Sequence, residues 1–400
     1  MIIDSGNLTR QSLSGKTAII TGAGGGIGYE AARATAWMGC RVVIAEINRK
    51  TGSHAAQKLN QEFGEGIALF IHTDVGDEGQ VKNLQSKVEK YFGKVDIVLN
   101  NATIASLGAV KDLEIKVWDA SYRVNLRGPV LLARAFIPGM LARNWGVFVC
   151  VSSTGVGYMG AYEALKSAQV HLGMTLNQEL ENTQVSAFTI GPGFVPTDTA
   201  ASSIPKLAAL MGKSEQELLE VVKPHTLSVE AAGAGFAAAI AMASRYRGQE
   251  ISSLQALVDA GIGLSATRQA ASERLLTNDQ FEQALALCRS AHKTLVEQSA
   301  SWKERSIFEQ QWLIRTFRHK ASLPVEEWLH ILEQIEVILQ RRDVSALSTI
   351  HAPFDRLAAY YQHLYEMAKG YVKDPTQREE QLRIVMGWQT EAEQLYSLLK

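Results

Sequence analysis

The chain has only three cysteines in 400 residues, Cys40, Cys150 and Cys288. They lie far apart, which excludes a disulfide framework and any metal-ligand spacing, so small buried apolar side chains are expected. Net charge is nearly absent as well: 40 Lys and Arg against 41 Asp and Glu leave −1. Without a basic excess, neither nucleic acid nor an anionic membrane is expected as a partner. Long apolar runs are missing; the stretch 231–243 is too short to span a bilayer. Residues 1–10 lack the apolar core of a signal peptide, so a cytoplasmic protein is expected. Internal repeats and low-complexity segments are lacking too. What remains is a chain longer than one typical domain, with 46% hydrophobic residues to fill two cores.

Glycine, by contrast, is plentiful and clustered. Thr21-Gly22-Ala23-Gly24-Gly25-Gly26-Ile27-Gly28 follows the apolar run 17–20 and opens a helical segment over 29–39. Strand, glycine-rich turn and helix N-terminus in that order make an anion site. Glycine admits positive φ and lets backbone approach a pyrophosphate closely. The free N–H groups and the positive end of the helix then face the phosphates.

From about residue 16 to residue 263 short β-rich runs alternate with helical segments. The predicted strands are 17–21, 41–46, 67–72, 95–100, 147–152, 185–190 and 254–258. Most are continuous apolar runs, as in parallel strands covered on both faces. The fold class is therefore α/β, a doubly wound parallel sheet of Rossmann-like type. After residue 263 strand-like runs and glycine largely vanish. Helices are predicted over 272–298, 301–320, 325–341, 344–371 and 376–399, with Asp374-Pro375-Thr376-Gln377 as a capped start. Phe308, Trp312 and Leu313 share one helix face, as do Trp328, Ile331, Leu332 and Ile335. The domains are thus 1–263, and an all-α domain over 264–400.

Tyr162-Glu163-Ala164-Leu165-Lys166 falls on the helix after the fifth strand. Residues i and i+4 share a face, which brings the Lys166 ammonium towards the Tyr162 phenol. A free phenol, with a pKa near about 10, is a poor base at neutral pH, and a nearby cation lowers that value. Such a tyrosine can exchange a proton with a carbonyl or alcohol oxygen.

With the glycine-rich turn, this pattern makes roughly residues 10–263 resemble a classical short-chain dehydrogenase/reductase. Further motifs match in order. They are Asp74-Val75 after the third strand, Asn101-Ala102 after the fourth, and Asn125 in Tyr122-Arg123-Val124-Asn125. Val151-Ser152-Ser153 closes the fifth strand, and Gly191-Pro192-Gly193-Phe194-Val195-Pro196-Thr197 follows the sixth. The resemblance implies hydride transfer between a nicotinamide and a carbon bearing a hydroxyl or keto oxygen. It makes Tyr162 the general acid/base and has Lys166 lower its pKa and bind the ribose. Ser153, rather than Ser152, holds the reacting oxygen, and Asn125 holds the helix and a water linking Lys166 to solvent. Ser152 is read as a strand-end hydroxyl capping local backbone. The cofactor-binding set implied is Gly22, Gly26, Ile27, Gly28, Glu46, Asp74, Val75, Asn101, Ala102, Tyr162, Lys166, Pro192, Gly193 and Thr197. Glu46 ends the second strand, where a carboxylate accepts ribose hydroxyls and repels a 2′-phosphate, so NAD is the expected cofactor. Arg49 and Lys50 are read as the solvated start of the next helix.

The chain departs from the family pattern in places. Thr103 stands where the family has glycine, and narrows the space beside the cofactor. Only nine positions separate Ser153 from Tyr162, a shortened substrate-side loop. Tyr158 and Met159 either line the cleft or pack the loop. Leu207, Leu210, Met211, Leu218, Leu219 and Val222 either face an apolar substrate or contact the core. Glu327-x-x-His330 is half of a di-iron pattern without its second half, so no metal is expected. His319, His351 and His363 show no ligand spacing. The helical domain is read as an assembly or docking module, or as a cover over the cleft. A small-molecule alcohol or carbonyl substrate and a homo-oligomer, dimer or tetramer, are expected by resemblance. The competing reading is an NAD(H)-sensing scaffold whose helical domain docks a partner.

Overall fold

The computed structural model describes residues 1–153, 157–222, 226–263, 278–321, 323–341, 354–371 and 374–399. The chain divides into two compact units, Met1–Gly263 and Leu264–Lys400.

The first unit is built on one seven-stranded parallel sheet of order β3-β2-β1-β4-β5-β6-β7. The strands are β1 Thr17–Thr21, β2 Arg41–Glu46, β3 Ala68–His72, β4 Ile97–Asn100, β5 Gly146–Val151, β6 Val185–Gly191 and β7 Glu250–Ser252. β1, β4 and β5 are buried along their whole length, which is why they read as unbroken apolar runs. The connecting helices are α1 Gly26–Trp37, α2 Arg49–Phe63, α3 Glu78–Phe92, α4 Ile115–Tyr122 and α5 Gly128–Ala142. They continue with α6 Gly160–Glu179, α7 Asp198–Met211, α8 Glu215–Val222, α9 Val229–Ala241 and α10 Ser253–Asp259. On one face, Val81, Leu84 and Val88 of α3 and Leu132 and Phe136 of α5 pack with Ile19, Val43, Val98 and Phe148 of the strands. Elsewhere α1 and α9 approach so closely that a Cβ on Gly233 would lie 2.6 Å from the Ala31 backbone nitrogen. Strand order reverses between β1 and β4, and ligands of such sheets bind beyond the strand ends at that point.

The last strand corrects the sequence reading. Residues 254–258 are helical, and the strand is the preceding Glu250–Ser252, paired with β6. Ser253, Ala256, Leu257 and Ala260 are buried, which is a helical spacing. Ser252 starts that helix by accepting from Gln255 N at 3.0 Å.

The second unit is helical: α11 Asn278–Trp302, α12 Ile307–Ala321, α13 Val325–Arg341, α14 Phe354–Tyr371 and α15 Pro375–Leu399. Its core holds Trp328, Phe317, Tyr360 and Tyr361. Trp328 Nε1 donates to Ala321 O at 3.0 Å, and the Phe317 and Tyr360 rings meet edge-on at 4.7 Å. Leu332 and Ile335 join the core, and Ile331 packs at its margin. Asp374 caps α15 through Gln377 N at 2.9 Å. The predicted starts at 272 and 344, and the Phe308 and Trp312 side chains, lie outside the described residues. Among the described residues no helix is long and apolar enough to cross a membrane.

Candidate active site

The glycine-rich turn bends where glycine is required. Gly22 and Gly26 have φ of 65° and 56°. A Cβ on Gly22 would sit 2.8 Å from Ala102 Cα, and one on Gly28 would sit 2.5 Å from Asn101 Nδ2. The turn is thereby pressed against the end of β4. Asn101 locks it: its Nδ2 donates to Thr21 O at 2.9 Å and to Gly22 O at 3.2 Å. Thr21 Oγ1 in turn accepts from Ala102 N at 2.9 Å. The Asn101 side chain is therefore a clamp on the turn. Beyond it, Gly25 and Gly26 are exposed, Ile27 is half-buried, and no side chain caps α1. These backbone N–H groups at a helix start suit a pyrophosphate, so the residues present fit a dinucleotide. The loop after β6 lies alongside: Thr197 caps α7 through Ala200 N, and its Cγ2 is 3.6 Å from the place of a Gly26 Cβ. Pro192 and Gly193 belong to the same loop, with Gly193 at φ 75°.

Glu46 ends β2 against this turn. Its Oε2 accepts from Gly24 N at 3.1 Å and its Oε1 from Asn48 N at 2.9 Å. The carboxylate is fixed beside the glycines, while Arg49 and Lys50 are exposed at the start of α2. Asp74 is more heavily engaged. Its Oδ1 accepts from Gly76 N at 2.9 Å, and its Oδ2 pairs with Arg123 Nη1 at 2.8 Å. Val75 is buried against Gly128.

Asn125 sits in a π-helical turn, Arg123–Arg127, between α4 and α5. Such turns widen a helix by one residue and are frequent at functional sites. The side chain is fully buried and satisfied at both ends. Its Oδ1 accepts from Thr103 Oγ1 at 3.0 Å and Ile104 N at 2.9 Å, and its Nδ2 donates to Ile104 O at 2.8 Å. Thr103, in place of glycine, thus gains a structural partner. The Asn125 carbonyl accepts from Gln169 Nε2, whose own Oε1 accepts from Asn100 Nδ2 at 3.1 Å. Gln169 itself is buried on α6.

Ser153, Tyr162 and Lys166 converge where β5 ends and α6 begins. Lys166 is fully buried and donates from Nζ to Val151 O at 2.7 Å. Burial brings its ammonium down to about 8, against smaller upward pulls from Cys150 and Glu163. Burial pushes the Tyr162 phenol above its ordinary range; a hydrogen bond with Ser153 opposes this, and the Glu163 charge adds to it. Here the structure differs from the spacing argument. Lys166 Nζ lies 5.7 Å from the centre of the Tyr162 ring and points to a carbonyl, and the phenol is raised rather than lowered. Ser153 Oγ donates to Glu163 Oε1 at 2.6 Å. Ser152 Oγ is buried without a hydrogen-bond partner, so it does not cap local backbone as expected.

Of the short loop, residues 157–159 are described. Residues 154–156 lie outside the described ones. Tyr158 has φ 68°, uncommon for a residue with a side chain, and its carbonyl accepts from Gly108 N at 2.7 Å. Met159 packs with Phe194 and Met211 on the cluster of Ile204, Leu207, Ala208 and Leu218. Those α7 and α8 residues therefore make core contacts, while Leu219 is exposed. The Val222 side chain lies outside the described residues. In the second unit His330 is exposed on α13 beside Gln334.

Three participants escaped the sequence reading: Arg123, Glu163 and Gln169. Gln169 follows Tyr162 and Lys166 at i+7 and i+3, one helix face, so the spacing held its signal. Glu163 and Arg123 carry no such pattern.

The short chain dehydrogenase family model matches residues 16–208, which span the turn, Asn125, Ser153, Tyr162 and Lys166. An uncharacterized oxidoreductase of Thermotoga maritima is 34% identical over 189 residues, 46% of this chain and 73% of that protein. The structure of NAD+-bound xylitol dehydrogenase is similar with a TM-score of 0.56 at 23% identity, covering 60% of this chain and 98% of that one. A variant of actinorhodin polyketide ketoreductase with NADPH gives 0.55 at 25% identity, covering 60% and 96%. The motifs, the sheet order and these likenesses agree, and the chain belongs to the short-chain dehydrogenase/reductase family of nicotinamide-dependent oxidoreductases.

Proposed function

We propose that the first unit transfers a hydride between NAD and a carbon bearing a hydroxyl or keto oxygen on a small or apolar substrate. The grouping of Ser153, Tyr162 and Lys166 at the end of β5, next to the strand whose end carries Asn101, supports this most strongly. The bound nicotinamide supplies or accepts the hydride. Tyr162 gives its proton to the carbonyl oxygen in reduction and takes one from the hydroxyl in oxidation. Ser153 hydrogen-bonds the same oxygen. Lys166, held by Val151 O at 2.7 Å, keeps two further N–H donors for ribose hydroxyls. Asn125 anchors the wall of the site through Ile104 and Gln169.

The two solved relatives carry NAD+ and NADPH in turn, so likeness alone does not choose between them. Glu46 favours NAD: its carboxylate, fixed on Gly24 N, would repel a 2′-phosphate and accept ribose hydroxyls. A homo-oligomer belongs to the same reading and is checked by light scattering.

The experiment is a screen of alcohols and ketones followed by NADH absorbance, repeated with Tyr162→Phe. Turnover should fall at least about a hundredfold, the low end for acid–base catalysis, with NADH still bound. Undiminished turnover in the variant overturns the role of Tyr162. NADH binding with no turnover on any compound favours the cofactor-sensing reading instead.

A further inference from the structure

The hydrogen bond between Ser153 Oγ and Glu163 Oε1, at 2.6 Å, has the length of an O–H···O⁻ bond to a carboxylate. An ionised carboxylate only accepts, so the single hydroxyl proton of Ser153 lies along that line. The Ser153 side chain also lies near the Tyr162 phenol, whose upward shift it opposes. Both ends of the Ser153–Glu163 bond are held on regular elements, since Ser153 follows β5 and Glu163 lies in the first turn of α6, half-buried.

We propose that Glu163 is a positioning residue that holds the Ser153 proton, so that Ser153 offers an acceptor oxygen and receives a substrate hydroxyl in preference to a carbonyl. The substrate half of this statement rests on the function proposed above. The orientation of Ser153 is a property of the protein alone.

Among the described residues, other charges near the phenol are few. On its own helix there are Glu163 and Lys166. β5 contributes only the Cys150 thiol, pushed by burial up to about 12, and β6 has no ionisable side chain. On α4, Lys116 pairs with Glu114, Asp119 is exposed, and Tyr122 is half exposed. In the π-turn, Arg123 is held by Asp74 and Arg127 by Gly76 O.

The test is carbon-13 NMR of tyrosine labelled at Cζ, with the Tyr162 signal assigned by its loss in Tyr162→Phe. Removing the carboxylate ends its repulsion of the phenolate and frees the Ser153 proton to donate to it. Both effects act downward, so Glu163→Met should lower the Tyr162 titration midpoint on the order of one pH unit. In a Ser153→Ala background the same substitution should lower it by less than half as much. Glu163→Leu, which likewise has neither charge nor acceptor, replaces Glu163→Met if the latter does not fold, with the same expectation. No fall, or an equal fall in both backgrounds, overturns the proposal. With the alcohol and ketone pair found in the screen, Glu163→Met should also raise the alcohol KM relative to the ketone KM severalfold; an unchanged ratio overturns the substrate half. The titration needs no turnover, so its failure is distinct from a failure of the hydride-transfer reading.

Discussion

The two units bury different chemistry. Among the described residues, the buried polar and charged side chains other than aromatic and cysteine ones all lie between Thr17 and Ser253. They include Asn100, Asn125, Lys166 and Gln169, grouped near the ends of β4 and β5. The helical unit buries Trp328, Phe317, Tyr360, Tyr361 and aliphatic side chains instead. Burying a polar group is costly unless it is bonded, so a fold keeps such groups where they serve something besides packing. The contrast explains why chemistry is legible in one unit and only shape in the other.

The contrast can be attacked from both sides. Trp328→Ala should cost the helical unit roughly 3–5 kcal/mol, the usual loss for a large buried aromatic. Calorimetry would show it, and a loss below about 1 kcal/mol would mean that the aromatic core is not tightly packed. Lys166→Met should act with the opposite sign. Its folded pKa is about 8 and its ordinary value 10.5. Between these, the unfolded chain binds a proton that the folded one does not, so stability rises with pH across that window. Below it the buried charge carries its full cost, at most roughly 3 kcal/mol. Urea melts at pH 7 and pH 10 should show the wild type gaining stability and Lys166→Met, more stable at pH 7, gaining none from this site. A variant less stable at pH 7 would count against a strained lysine.

Gly28→Ala puts a Cβ 2.5 Å from Asn101 Nδ2 and 2.6 Å from Gly22 O. A cost of about 1–3 kcal/mol is expected, together with weaker NADH binding in fluorescence titration. Intact binding would show that the turn yields without harm. The smallest effect is expected for Glu46→Ala, which should narrow the preference for NADH over NADPH about tenfold, or about 1.4 kcal/mol. Paired titrations measure it, and a wild type that binds NADPH more tightly would reverse the cofactor assignment.

Much of the first unit was readable because its signals are local. β1 to β6 are apolar runs, and the glycine turn needs its glycines for φ and for close approach to Ala102 and Asn101. The misplaced last strand shows the limit. Leu254-Gln255-Ala256-Leu257-Val258 is apolar enough for either state, and the three-residue strand before it is set by pairing with β6. Tyr162 and Lys166 were found by spacing, yet where Lys166 points was decided by Val151 O, which no spacing records. Glu163 was hidden for the same reason: its partner Ser153 is ten residues away across a strand end. In the helical unit the periodicity marked Trp328, Leu332 and Ile335 as a buried face, which they are. A pattern of that kind reports which side is inside and carries no chemistry.

The π-turn at Arg123–Arg127 fixes the length of its segment in a way no single substitution tests. It is one residue more than a regular helix would need between α4 and α5. Deleting any one residue there would let the segment relax into continuous α-helix. The same deletion would remove the widened turn that carries Asn125. Asn125 would then leave Ile104 and Gln169, although composition and hydropathy would hardly change. Functional members of this lineage should therefore vary more freely in the exposed side chains of α4 and α5 than in the residue count between Tyr122 and Gly128.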